Sequence, residues 1–218
     1  MIVVVEGPSA SGKTTWCRTH FPDQTVWEHS VSGSFEAPDR EKDPKGAAEY
    51  WSEKNRARWR LALEMEARHG LAICDTDPFK LHYIWSLWQI RHGDHRDWEH
   101  EARINREMFA AGELGIADLF LVSLPDIETL RRQNAGDTSR RRGHFELHAQ
   151  LTEPLREWYQ AISTEDPARV VWSHPDGGLT IDQLALGVRD ERTGTALFDR
   201  IIGALPGDSG SPEGGDRC

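Results

Sequence analysis

Residues 2–14 read Ile2-Val3-Val4-Val5-Glu6-Gly7-Pro8-Ser9-Ala10-Ser11-Gly12-Lys13-Thr14, and their reading decides the fold. The β-branched start suits a strand buried on both faces of a parallel sheet. Residues 7–14 then satisfy G-x-x-x-x-G-K-[ST] in full, between that strand and an expected helix. Gly7 and Gly12 allow torsions and a close backbone approach that a Cβ forbids. Successive backbone N–H groups of such a loop, and the positive end of the helix behind it, point at a phosphate. The expected nucleotide contacts are Gly7, Ser9, Ala10, Ser11, Gly12, Lys13, Thr14 and Thr15. Lys13 reaches β- and γ-phosphate oxygens, and the Thr14 hydroxyl ligates Mg²⁺. The expected cofactors are therefore ATP and Mg²⁺.

Outward from this loop, strands alternate with helices. Further strands are expected at 24–28, 71–74, 119–124 and 170–172. Helices are expected at 47–69 (closed by Gly70), 79–92, 95–112, from Pro125-Asp126 into Arg131-Arg132, and 144–162, with 179–205 largely helical. Residues 30–46 read as a loop, and the Gly, Ser, Pro and Asp-rich residues 206–218 as a disordered tail. The pattern predicts a three-layer α/β domain over 1–205, with a five-stranded, mainly parallel sheet.

Asp75 and Asp77 end the third strand, where open α/β sheets bind ligands. Asp75 is the candidate to hold Mg²⁺ through water or to take the proton of an attacking hydroxyl. Asp77-Pro78 has two readings, a ligand-facing carboxylate or an N-cap followed by proline at N1. Arg131, Arg132, Arg140, Arg141 and Arg142 crowd one short segment. They read either as a solvated run or as an arginine-bearing lid over about 131–145. In the second reading Arg132, Arg140 and Arg142 neutralise charge on the transferring phosphoryl group. Trp51, Asn55 and Trp59 share a helix face at i, i+4 and i+8. They form either part of the core or a face that stacks a planar base and offers it the Asn55 amide.

The chain has 218 residues, 26 Lys and Arg against 36 Asp and Glu, and a net charge of −10. That balance disfavours sequence-blind nucleic-acid binding and attachment to an anionic membrane. Three widely spaced cysteines argue against a disulfide framework and a zinc site. No stretch resembles a secretory signal or a membrane span, so a cytoplasmic protein is expected. A homodimer is compatible with the sequence.

The Gly-x4-Gly-Lys-Thr loop, the Asp75-Thr76-Asp77 strand end and the arginines near residue 140 together resemble the small P-loop kinases of nucleosides and nucleotides. Ile73-Cys74-Asp75-Thr76-Asp77 looks most like ribosylnicotinamide kinase domains. Glu6 is similar to the acidic residue at that place in thymidylate and deoxynucleoside kinases. The lid wording, Asn134 to Arg142, departs from the ribosylnicotinamide kinase lid. The resemblance covers residues 1 to about 175. It implies Mg²⁺-ATP as donor, a mobile lid, and an acceptor pocket lined by the 47–69 helix. Glu6, Trp51, Asn55, Trp59, Asp77, Lys80 and Tyr83 are then the candidate acceptor contacts. The expected activity is transfer of the γ-phosphoryl group to a hydroxyl of a nucleoside-like small molecule. A nucleoside monophosphate as acceptor, or an ATP-switched binding module, is the alternative.

Overall fold

A computed structural model of the chain describes residues 1–28, 37–137, 144–189 and 191–207. Residues 138–143 of the expected lid, which include Arg140, Arg141 and Arg142, residues 30–36 of the first loop and tail residues 208–218 lie outside the described residues. Five parallel strands form one sheet in the order β2-β3-β1-β4-β5: β1 Ile2–Glu6, β2 Thr25–Val26, β3 Ala72–Asp75, β4 Leu119–Val122 and β5 Val170–Val171. All five residues of β1 are buried, as its unbroken β-branched run requires of a central strand.

Strand alternation divides the core into two. Ile2, Val4, Phe120 and Val122 face a large cluster, while Val3, Val5, Leu119 and Leu121 face a smaller one. The smaller cluster is closed by Trp16 and Cys17 of α1 (Lys13–His20). The larger is covered by α2 (Pro44–His69), α3 (Leu81–Gln89), α4 (His95–Ala110), α7 (Thr152–Glu165) and α9 (Thr195–Gly203). The remaining helices are α5 (Ile127–Gly136), α6 (Phe145–Gln150) and α8 (Ile181–Ala185). No described helix is long and apolar enough to cross a membrane.

Several boundaries differ from the sequence-based expectation, each for a local reason. Helix α2 starts at Pro44 because the Asp43 side chain accepts a bond from Gly46 N, giving a cap and a proline at N1. It ends as expected at Gly70, left-handed at φ 72°. The expected 144–162 helix breaks at Leu151 into α6 and α7, since Pro154 has no N–H to continue the ladder. The 179–205 segment breaks at Gly187 and Gly194, both at positive φ.

The strand register places the chemistry. Val5 pairs with Asp75 and Glu6 with Val122, so β1, β3 and β4 end at one level. Beneath that rim an aromatic cluster ties helices to the sheet. Trp158 is fully buried among Phe79, Trp85 and Trp98, at centroid distances of 5.5, 5.9 and 6.4 Å. Trp158→Ala is expected to cost about 3–5 kcal/mol of stability, read from the urea midpoint; a loss below about 1 kcal/mol contradicts this packing account.

Candidate active site

The loop after β1 has the shape its glycines predict. A Cβ on Gly7 would collide with the Ser123 carbonyl oxygen, just past β4, and with the Ser11 hydroxyl, so the backbone leaves room for glycine alone. Gly12, at φ 89°, caps α1 and turns the chain into the helix. Lys13 Nζ donates to Gly7 O at 2.5 Å and Pro8 O at 3.1 Å, and lies 3.9 Å from Glu6 Oε1. Thr14 Oγ1 donates to Asp75 Oδ2 at 2.9 Å across the β1–β3 rim. Thr15 is exposed on the next turn of the chain.

Glu6 is buried under the loop. Its Oε1 accepts from Gly7 N at 2.8 Å and its Oε2 from Asp77 N at 3.0 Å, with His82 Nε2 at 3.5 Å. Burial works against its charge, yet the His82 ring and the Lys13 ammonium outweigh burial and hold the carboxyl well below the usual range. Glu6 is thus a brace between two backbones, although one edge reaches the cavity described below. Asp77 is not the N-cap of α3; that place is taken by Lys80. Its Oδ1 accepts from Phe79 N at 2.8 Å, which delays the helix, and its Oδ2 accepts from Tyr159 OH at 3.1 Å. Burial and the neighbouring Glu6 charge push Asp77 up to about 8.

A cavity of about 1200 Å³ opens from Gly7, Ser9 and Lys13. Away from the loop its wall includes Glu28, Lys80, Tyr83, Trp51 and Asn55. Lys80 Nζ donates to Glu28 Oε1 at 2.5 Å. Burial raises the Glu28 carboxyl, but Lys80 outweighs it and takes Glu28 down to about 2, so it is ionised at neutral pH. Further out, Arg40 Nη1 donates to the buried Glu101 at 2.7 Å.

The helix face expected to carry Trp51, Asn55 and Trp59 divides. Trp51 is 41% exposed and Asn55 5%, and both line the cavity. Trp59 is 1% exposed and belongs to the core, packed where Gly115 leaves it space. Arg132 is exposed on α5, donates to Thr129 Oγ1 at 3.1 Å and does not line the cavity. Arg131 pairs with Glu146 at 3.0 Å. Asp75 is also off the cavity wall, since its carboxylate turns to Thr14.

Thr14 and Asp75 fit a magnesium ion that takes its other ligands from water and phosphate. Asp75 Oδ1 is buried without a hydrogen-bond partner, an acceptor left over beside the loop. Burial raises the Asp75 carboxyl, with the Thr14 bond opposing it. Among the described residues, no group of three or more His, Cys, Asp or Glu side chains forms a fuller metal cage.

No family model and no curated protein matches the sequence. Solved structures do. Deoxyadenosine kinase from M. mycoides with bound dCTP is 14% identical at a TM-score of 0.53, over 85% of this chain and 96% of that one. The same enzyme with the products dCMP and a flexible dCDP is 15% identical at 0.50, with equal coverage. The chain shares the fold of that deoxyadenosine kinase. Within this kinase fold, sequence reasoning missed three groups: Glu28, Arg40 and Glu101. Glu28 follows a strand of only two residues, and the Arg40–Glu101 pair spans 61 positions, so neither carries a local signal.

The Asp77 environment predicts a pH dependence. Its folded pKa lies above the ordinary 3.8, so ionising it disfavours the folded state. Stability should fall as pH rises from about 4 to about 8 and level off above that. Asp77→Asn keeps an acceptor for Phe79 N, can donate its amide to the Tyr159 hydroxyl oxygen, and should flatten the melting temperature between pH 6 and 9. A slope as steep as the parent's would contradict the buried, protonated carboxyl.

Proposed function

We propose that this chain is an Mg²⁺- and ATP-dependent kinase that transfers the γ-phosphoryl group to a hydroxyl of a nucleoside-like small molecule. One observation carries the reading: a single cavity has the Gly7–Lys13 loop at one end and Glu28, Lys80, Asn55, Trp51 and Tyr83 along its wall. Donor and acceptor can thus meet in one space that a lid can close to water.

In this reading the loop N–H groups, the start of α1 and Lys13 bind the β- and γ-phosphates. Thr14 and, through water, Asp75 hold Mg²⁺, which neutralises charge on the phosphates when bound. Asp75 is then a metal-side group, and Glu28 is the better base. Glu28 faces the cavity as a carboxylate oriented by Lys80, ready to take the acceptor's hydroxyl proton. Trp51 and Tyr83 offer ring faces to a planar base. The Asn55 amide, buried at the wall, is placed to read its edge. Arg140 and Arg142 are proposed to close over the γ-phosphoryl group, with Arg132 joining after it leaves Thr129.

The cations at the acceptor end support a hydroxyl rather than a phosphate acceptor. Lys80 is paired with Glu28 and Arg40 with Glu101. Each already has its charge balanced by a carboxylate, which weakens its pull on a monophosphate.

The test is a mass-spectrometric screen with Mg²⁺-ATP and a panel of nucleosides, nucleoside monophosphates and other hydroxylated metabolites. A nucleoside should gain one phosphoryl group, and Lys13→Ala should abolish that product. Product with every monophosphate and no nucleoside would overturn the acceptor assignment, and unchanged product with Lys13→Ala the donor assignment. Glu28→Gln should lower kcat by about 10²–10⁴-fold with the KM for ATP little changed. Loss of only twofold would return the base role to another group.

A further inference from the structure

The corner from β3 into α3 does two things at once: it turns Asp75 to Thr14 and presents Asp77 N to Glu6. Between them Thr76 stands at φ 75°, a left-handed conformation rarely adopted by a β-branched residue. Such a conformation persists only when its surroundings over-determine it. Its N–H donates to Val5 O at 3.1 Å, and the carbonyls of the corner meet one side chain of α2. Arg58, 3% exposed, donates Nη2 to Asp75 O at 2.8 Å and to Thr76 O at 2.7 Å, and Nη1 to Asp77 O at 3.4 Å. Three successive carbonyls converge on one guanidinium, whose planar fork can bind several acceptors in a fixed geometry.

Energetically this is a costly way to satisfy three carbonyls. Arg58 makes no ion pair within 4 Å among the described residues; the Glu28 and Asp77 carboxyls feel its charge from further off, while its hydrogen bonds go to backbone carbonyls and its Nε is unpartnered. Neutral donors would hold a purely structural turn without that desolvation. A rigid charged clamp is instead suited to a corner whose carboxylate must stay in place beside a metal and a polyphosphate.

We infer that Arg58 is a positioning residue for the metal corner, holding the backbone of 75–77 so that Asp75 faces Thr14. The inference rests on the magnesium–nucleotide reading proposed above. Arg58 touches none of the reacting groups and acts through Asp75.

The experiment compares Arg58→Lys and Arg58→Met with the parent chain in two titrations. One follows ADP binding in EDTA by calorimetry. The other follows Mn²⁺ binding to the ADP-saturated protein by electron paramagnetic resonance, Mn²⁺ standing in for Mg²⁺. Both variants should bind metal-free ADP within twofold of the parent and lose about tenfold in Mn²⁺ affinity. Parent-like Mn²⁺ affinity, or equal losses in both titrations, overturns the inference and leaves the nucleotide reading standing. A parent chain that binds no ADP removes the nucleotide reading and the inference with it. Thr76→Gly guards against variants that fail to fold, because glycine accepts the left-handed angle without strain. With Arg58 in place its Mn²⁺ affinity should stay within twofold; a tenfold loss would show that Thr76 sets the corner and would overturn the role of Arg58.

Discussion

Glu6 is a buried carboxylate whose two oxygens each accept one backbone N–H, from Gly7 and from Asp77. Those bonds tie the end of β1 to the end of β3, and the rest of the site is hung from that tie. With Gly7 fixed, the loop turns over the rim and Lys13 lies against its own carbonyls. With Asp77 N fixed, the 75–77 corner can curl back so that Asp75 meets Thr14. A hydrogen bond to a charged acceptor is stronger than a neutral one, and its loss leaves an unsatisfied buried charge. The brace is therefore stiff as well as central.

The charges around it are arranged to differ. Glu6 stays ionised against burial because His82 and Lys13 adjoin it, whereas Asp77, a few ångströms further in, is pushed up by burial and by Glu6 itself. Two carboxyls so close cannot both keep their charge at low cost. Glu28, paired with Lys80, is ionised and lines the cavity. One acidic side chain thus braces, one is held neutral in the interior and one faces the cavity as a carboxylate. Environment, more than residue type, separates these roles.

What could be read from the sequence was what is encoded locally. The run Ile2 to Thr14 carries its own torsional demands, and the loop, the strand before it and the helix after it all follow. Gly70 likewise announces the end of α2. Long-range groups were not legible. Arg58 stands in a helix full of Glu and Arg, and nothing in that context distinguishes a buried clamp from a solvated side chain. Trp51 and Trp59 share one helix face, yet α2 runs from cavity to core, so one lines the site and the other fills the interior. Asp77-Pro78 has the wording of a helix start, but the rim held Asp77 for Glu6 and Tyr159, and α3 begins at Leu81.

In the proposed function, donor and acceptor occupy one continuous cavity. Calorimetric titration with a bisubstrate probe, adenosine joined through five phosphates to the 5′-oxygen of a deoxynucleoside, tests it most directly. Linking two groups that bind together makes the second contact intramolecular, so affinity should exceed that of ATP alone by about 10²-fold or more. That gain is expected at one probe per chain. A probe that binds no better than ATP would contradict it, because its nucleoside half would then have found no site within reach of the loop.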